Sequence, residues 1–231
     1  MRILNGHLYP DEAPECRLLN RSFRFGDGLF ETIRIYRGRP LFLDAHLHRL
    51  QQGMALLQIH PEAPDWEAKI RASIQQLLAH NQIDRHGKLR LHVYRDGEGA
   101  YTPMSDTAAY VMEAYALKED FFASDVPLRL TDYRELLLQP GPLAAVKTAN
   151  ALPYVLAGRY ARQQGYDDAL LYSGPQVAES SRANLFVVQQ QRVFTPPLSA
   201  GCLDGIMRRQ VIDLCERLRI PCQEKGLKAR D

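Results

Sequence analysis

The chain has 231 residues and a formal net charge of +2, from 29 lysines and arginines against 27 aspartates and glutamates, a length that suits one large domain or two small ones with a substantial core. Its cations are scattered among acids, with no basic stripe, so a nucleic-acid partner is not expected. No run approaches the ~20 apolar residues of a membrane span and no leader-like apolar region follows Met1, so the expectation is a cytoplasmic protein without membrane contact.

The first element is a hairpin, with Asn5-Gly6 turning between Arg2-Ile3-Leu4 and His7-Leu8-Tyr9. Leu29 to Tyr36 is rich in strand formers, Arg37-Gly38 turns, and Pro40 to Leu43 reads as a second strand. Asp44 is placed to cap a helix through Leu47, Leu50, Met54 and Leu57. Asp65 is placed to cap another through Trp66, Ile70, Ile74 and Leu77. These rows are core faces. In 88–95, Leu89, Leu91 and Val93 alternate with Arg90, His92 and Tyr94, the pattern of a half-buried strand. Ala108 to Leu117 and Val126 to Tyr133 read as further strands. The polar stretch between them sets the expected domains: a small α+β domain over 1–117, a linker over 118–125 and a larger domain over 126–231.

In the second half a helix is expected from near Pro153 to near Gly165. Asp168–Tyr172 and Gln176–Ser180 flank a Ser173-Gly174-Pro175 turn, and Asn184–Gln189 and Arg192–Thr195 read as short strands. Gly205 then opens a helix through Met207, Val211, Leu214 and Leu218. Four cysteines without a C-x-x-C pair and seven histidines without H-E-x-x-H predict neither a disulfide framework nor a metal site. His46 and His48 stand two apart and point in different directions on a helix.

Lys147 and Glu179 put two opposite charges into regions otherwise patterned for burial. Taken alone they suit an ordinary ion pair. They also suit a second chemistry: a lysine amine in partly apolar surroundings condenses with a carbonyl, and a buried carboxylate holds a proton on a heterocyclic nitrogen.

Five segments decide between these in combination: Phe25-Gly26-Asp27-Gly28-Leu29-Phe30-Glu31-Thr32, His46-Leu47-His48-Arg49-Leu50, Lys147-Thr148-Ala149-Asn150, Glu179 through Phe186, and Gly201-Cys202-Leu203-Asp204-Gly205-Ile206-Met207-Arg208. In this order and spacing they resemble the fold-type IV pyridoxal-phosphate enzymes, the class IV aminotransferase family, almost end to end. The resemblance implies a two-domain α+β fold, with a small α/β sandwich domain and a larger pseudo-barrel domain. It implies pyridoxal 5'-phosphate as cofactor and a homodimer, with the cofactor in the cleft between the two halves. By resemblance Lys147 is the lysine that holds the cofactor and acts as general base, and Glu179 is the partner of the pyridine nitrogen. Arg49, with the backbone amides of Gly205, Ile206 and Met207, takes the phosphate. Phe30 and Glu31 become pocket candidates, since Gly26 and Gly28 permit close backbone approach.

The function this implies is transfer of an amino group between a small amino acid and a 2-oxo acid. The K-x-x-N spacing of Lys147-Thr-Ala-Asn150 resembles D-amino-acid aminotransferases and aminodeoxychorismate lyases. No R-x-H pair follows Arg95, and Arg95 and Tyr101 are the candidates for holding a substrate carboxylate. Gly205-Ile-Met-Arg208 and Gly99-Ala-Tyr101 look lyase-like, which keeps pyruvate elimination from aminodeoxychorismate as an alternative. Family chains continue past the segment resembling Glu224 to Asp231, so a shortened C-terminal end, and with it a catalytically incomplete scaffold, is a further alternative.

Overall fold

A computed structural model describes residues 1–11, 20–118 and 126–228. They form two compact units, the first comprising the described residues up to 118 together with Lys147–Ala149, the second those of 126–146 and 150–228. The expected linker at 118–125 falls almost wholly outside the described residues. Lys147–Ala149, placed by sequence in the second domain, groups instead with the first unit.

The first unit is a sheet covered by two helices. The Asn5-Gly6 turn joins β1 (Arg2–Leu4) to β2 (His7–Tyr9), both turn residues having positive φ (48° and 86°), as the tight hairpin turn requires. A five-residue helix, α1 (Arg21–Phe25), is capped by the Asn20 side chain and leads into the long strand β3 (Gly28–Tyr36). Next come β4 (Arg39–Pro40), α2 (Leu43–Leu57), α3 (Trp66–His80), β5 (His86–Arg95) and β6 (Ala108–Ala116). The six strands run in the order β2-β1-β6-β5-β3-β4, each antiparallel to its neighbours. Leu29, Ile33 and Ile35 of β3, Leu89, Leu91 and Val93 of β5 and Met112 of β6 are buried, as are Leu47, Leu50, Ile70, Ile74 and Leu77 on the helices. Burial of each such side chain contributes about 1.5–3 kcal/mol, an upper bound because the unfolded chain already hides some of this surface.

Two boundaries differ from expectation. The strand expected over Pro40–Leu43 stops at Pro40, because Phe42 takes a left-handed conformation (φ 52°) and turns the chain into α2. Asp44 therefore lies in the first turn rather than at the cap, and pairs with Arg71 at 2.6 Å. Asp65 does precede α3, but its carboxylate makes no capping bond; it meets Lys69 one turn on, at 3.1 Å.

The second unit contains β7 (Leu130–Tyr133), α4 (Leu152–Gln163), β8 (Asp168–Ser173), β9 (Gln176–Ser180), β10 (Val187–Gln189), β11 (Arg192–Thr195), α5 (Ile206–Arg217) and β12 (Cys222–Glu224). One sheet has the order β7-β8-β9, with β7 and β8 parallel, and the other β10-β11-β12, with β11 and β12 parallel. The strand expected from Val126 begins only at Leu130. Ala157 and Ala161 let α4 sit close over Ala169 and Leu171 of β8, in a core shared with Tyr133, Ala178 and Cys202. Of the row expected on α5, Met207 and Leu214 are exposed and Val211 is half-buried, and Leu218, just past the helix end, is exposed, while Ile206, Arg208 and Cys215 are buried. Leu227 is buried and bridges to Val177 of β9, so the chain beyond β12 is anchored there.

Candidate active site

In the first unit, β4 pairs with β3 only at its far end, which leaves Gly28–Phe30 with an open edge. The segment Lys147–Ala149 occupies it: Phe30 N–H donates to the Lys147 carbonyl at 2.9 Å and Ala149 N–H to the Gly28 carbonyl at 2.8 Å. Gly28 is required here because a Cβ would lie 2.8 Å from the Val93 carbonyl oxygen. This pairing fixes the half-buried Lys147, whose Nζ lies 4.5 Å from the centre of the Phe30 ring. The Arg90 guanidinium lies 3.9 Å from the same centre. Two cations share one aromatic ring, an arrangement that favours an anionic ligand. Opposite Phe30 on β5 stands His92, whose pKa is pushed down to about 4 by burial and by Arg90. It is therefore neutral at neutral pH, with Nε2 2.8 Å from Ser22 Oγ.

Glu31, one residue on, faces the other way, as strand alternation demands. Its carboxylate is 1 % exposed and meets His46 Nδ1 at 2.7 Å, Arg49 Nε at 2.8 Å and Arg49 Nη2 at 2.6 Å. Burial alone would raise the Glu31 pKa, but hydrogen bonds from His46 and Arg49 and their charges outweigh it and hold the group below the ordinary value. Glu31 thus belongs to a buried ion cluster under α2, not beside Phe30. The cluster fixes the Arg49 guanidinium, which is itself buried.

Arg95 is a strut. It donates from Nε to Asp27 at 3.0 Å, from Nη1 to Asp106 and the Gln58 carbonyl, and from Nη2 to the Leu57 carbonyl. These bonds commit its guanidinium to holding the loop ends, so it does not present a fork for a substrate carboxylate. Asp27 also accepts from Arg21 Nε at 2.8 Å, and Arg21 Nη1 donates to the carbonyls of Gly99 and Ala100. Tyr101, on that loop, is 91 % exposed with its ring 5.6 Å from Phe25.

In the second unit Glu179 lies near the end of β9 with its side chain buried. Its Oε1 accepts from the Tyr154 hydroxyl at 2.7 Å, its Oε2 from Asn184 Nδ2 at 3.2 Å, and both oxygens from Leu203 N–H at 3.1 and 3.2 Å. Burial and then the charge of Glu179 push the Cys202 thiol up to about 11, so it is no nucleophile at neutral pH. Gly205 precedes α5, whose first amides, at Ile206 and Met207, lie where a helix leaves N–H groups without intrahelical acceptors. Ile206 is buried and Met207 half exposed.

Sequence reasoning missed Arg90, Tyr154, Asn184 and the Leu203 amide. Arg90 stood on the polar face of a correctly read strand, and the pairing of Leu29 with Thr148, far apart in the chain, brought Lys147 to the Phe30 ring that Arg90 also covers. Asn184 lay inside a motif already singled out. Tyr154 carried no local signal beyond its place in a helical first turn.

A family model described as amino-transferase class IV matches residues 28–231. The D-alanine aminotransferase of Listeria monocytogenes serotype 4b (strain F2365) is 26% identical, over 99% of this chain and 79% of its own. The aminodeoxychorismate lyase of Vibrio harveyi is 30% identical, over 84% of this chain and 71% of its own. Among solved structures, the T.th. branched-chain amino acid aminotransferase with pyridoxamine 5'-phosphate superposes with a TM-score of 0.86, at 24% identity, over 99% of this chain and 77% of its own. The chain therefore belongs to the class IV amino-transferase family, and its α+β fold is that of the fold-type IV enzymes. Among the described residues, no cluster of three or more His, Cys, Asp or Glu is placed to hold a metal ion, and no helix is long and apolar enough to cross a membrane.

Proposed function

We propose that this chain transfers an amino group between a small amino acid and a 2-oxo acid with pyridoxal 5'-phosphate as cofactor, and that Lys147 is the residue that holds the cofactor. The observation that carries the assignment is the Lys147 ammonium and the Arg90 guanidinium over one Phe30 ring, beside a lysine backbone pinned to β3. Each unit by itself carries groups of the kind the cofactor needs: in the first an amine for its carbonyl and a buried arginine for its phosphate, in the second a buried carboxylate for its ring nitrogen and helix amides for its phosphate. The solved relative with pyridoxamine 5'-phosphate supports the same cofactor.

When bound, pyridoxal phosphate supplies an electron sink for negative charge at the amino-acid α-carbon. Lys147 Nζ is the base that takes and returns the proton at that carbon. Glu179, oriented by Tyr154, Asn184 and the Leu203 amide, would keep a proton on the ring nitrogen. The amides of Ile206 and Met207 would bind phosphate oxygens, the Gly205 amide, called with them from the sequence, being already donated to the Leu203 carbonyl at 2.9 Å; Arg49, held rigid by Glu31, would add a positive charge. Arg90, rather than Arg95, anchors the substrate carboxylate, and Phe30 forms the floor beneath it.

The test is an amino-donor screen of the cofactor-loaded protein alongside Lys147→Ala. Transfer to a 2-oxo acid by the wild type alone is expected, and a Lys147→Ala variant that still transfers would end the assignment. The 30% identity to the V. harveyi enzyme favours one second reading, elimination of pyruvate from aminodeoxychorismate. Detection of pyruvate together with aminobenzoate, without any amino acceptor, distinguishes it. We also propose a homodimer, supported by the exposed Phe23, Tyr101 and Met104 of the first unit; a fully active monomer in light scattering would exclude it.

A further inference from the structure

We infer that Tyr154 is a positioning residue of this enzyme, orienting the Glu179 carboxylate through its hydroxyl so that the carboxylate meets the cofactor's ring nitrogen. The inference rests on the proposed role of Glu179.

Tyr154 lies in the first turn of α4, half-buried, with its ring packed against the core that contains Ala157, Ala161 and Leu171. That packing aims its hydroxyl at Glu179 Oε1, 2.7 Å away. The Leu203 amide is shared between the two carboxylate oxygens, at 3.1 and 3.2 Å, and Asn184 donates to Oε2. Tyr154 therefore makes the shortest of these bonds, and makes it to Oε1. A buried carboxylate carries its charge best when each oxygen has a donor, and a hydrogen bond to an ionised acceptor is about twice as strong as a neutral one. Removing the hydroxyl takes that bond from Oε1 and loosens the carboxylate's orientation.

The donor is permanent. Burial, then the Glu179 charge and the hydrogen bond to it, raise the Tyr154 pKa far above its ordinary value. The hydroxyl thus stays protonated around neutral pH, and it supplies orientation without a charge of its own.

A purely structural tyrosine would make the same core contacts, so the test must report on the ring nitrogen. Affinities for pyridoxal 5'-phosphate and for its 1-deaza analogue, which has carbon in place of that nitrogen, are measured with wild type, Tyr154→Phe and Glu179→Gln. Wild type should prefer the natural cofactor. Tyr154→Phe should lose on the order of tenfold in affinity for it, the worth of one charge-assisted bond, with the deaza analogue bound as by wild type. Equal losses for both ligands, or no loss for either, would overturn the inference. Glu179→Gln separates the two levels: if it leaves the preference intact, the role assigned to Glu179 fails; if it abolishes the preference while Tyr154→Phe keeps it, only the role of Tyr154 fails. Tyr154→4-aminophenylalanine, which retains a neutral donor at the same reach, should restore the preference and guards against a folding defect in the phenylalanine variant. Failure to restore it in a folded protein also counts against the inference.

Discussion

Gly205 and Asn184 are in such close approach that a methyl group on Gly205 would stand 1.9 Å from Asn184 Oδ1. Gly205 has an ordinary negative φ of −68°, so glycine is needed here for space and not for backbone freedom. The same Asn184 side chain donates through Nδ2 to the Leu203 carbonyl at 2.8 Å and to Glu179 at 3.2 Å. The turn that opens α5 and the buried carboxylate are therefore linked through one amide side chain. Gly205→Ala should displace Asn184, cost about 1–3 kcal/mol in stability and weaken cofactor binding. Thermal unfolding and a cofactor titration check this; unchanged values in both would show that Asn184 turns aside freely.

Lys147→Ala should abolish the visible absorbance of the bound cofactor as well as turnover, since no other lysine lies in 143–150. Borohydride treatment followed by peptide mapping gives the direct check. A cofactor fixed covalently to the variant at another lysine would refute the assignment.

Glu31→Gln removes the anion from a buried site that also holds Arg49 and His46. Breaking such a cluster from one side costs about 3–5 kcal/mol, because the guanidinium stays buried without its counter-charge. The pH dependence has a definite sign. The folded Glu31 titrates below its ordinary value of 4.5, so its contribution is fully present above that pH and fades as pH falls through the folded pKa. The stability gap between wild type and Glu31→Gln should therefore be widest near neutrality and close in acid. A gap independent of pH down to the acid limit of folding would contradict the ionised cluster.

Arg90→Met keeps much of the packing over Phe30 but removes the charge 3.9 Å from the ring centre. If Arg90 anchors the substrate carboxylate, KM for the amino donor should rise on the order of tenfold or more, with a smaller change in kcat. Arg95→Met should instead lower thermal stability, since Arg95 holds Asp27, Asp106 and two backbone carbonyls. Interchange of these two phenotypes in steady-state kinetics and melting curves would restore Arg95 as the substrate residue.

Local chemistry made much of this molecule legible. The Asn5-Gly6 hairpin, the alternation of Leu89, Leu91 and Val93, and the helical rows of α2 and α3 follow from side-chain period and turn preference, which depend only on near neighbours. The ordered motifs around Lys147 and Glu179 sufficed for the family, because their residue types are set by the cofactor's chemistry. Long-range placement decided the rest. Strand parity put Phe30 under Lys147 and sent its neighbour Glu31 to the opposite face, toward Arg49. Arg90 and Arg95 lie on the same strand and are chemically identical, yet one rests on an aromatic face and the other is consumed by loop carbonyls and carboxylates. On α5 Met207 and Leu214 of the apolar row are exposed, while Ile206, Arg208 and Cys215 make the buried side. Periodicity along the chain says which residues share a face; what covers that face depends on segments distant in sequence, and only the tertiary structure brings those together.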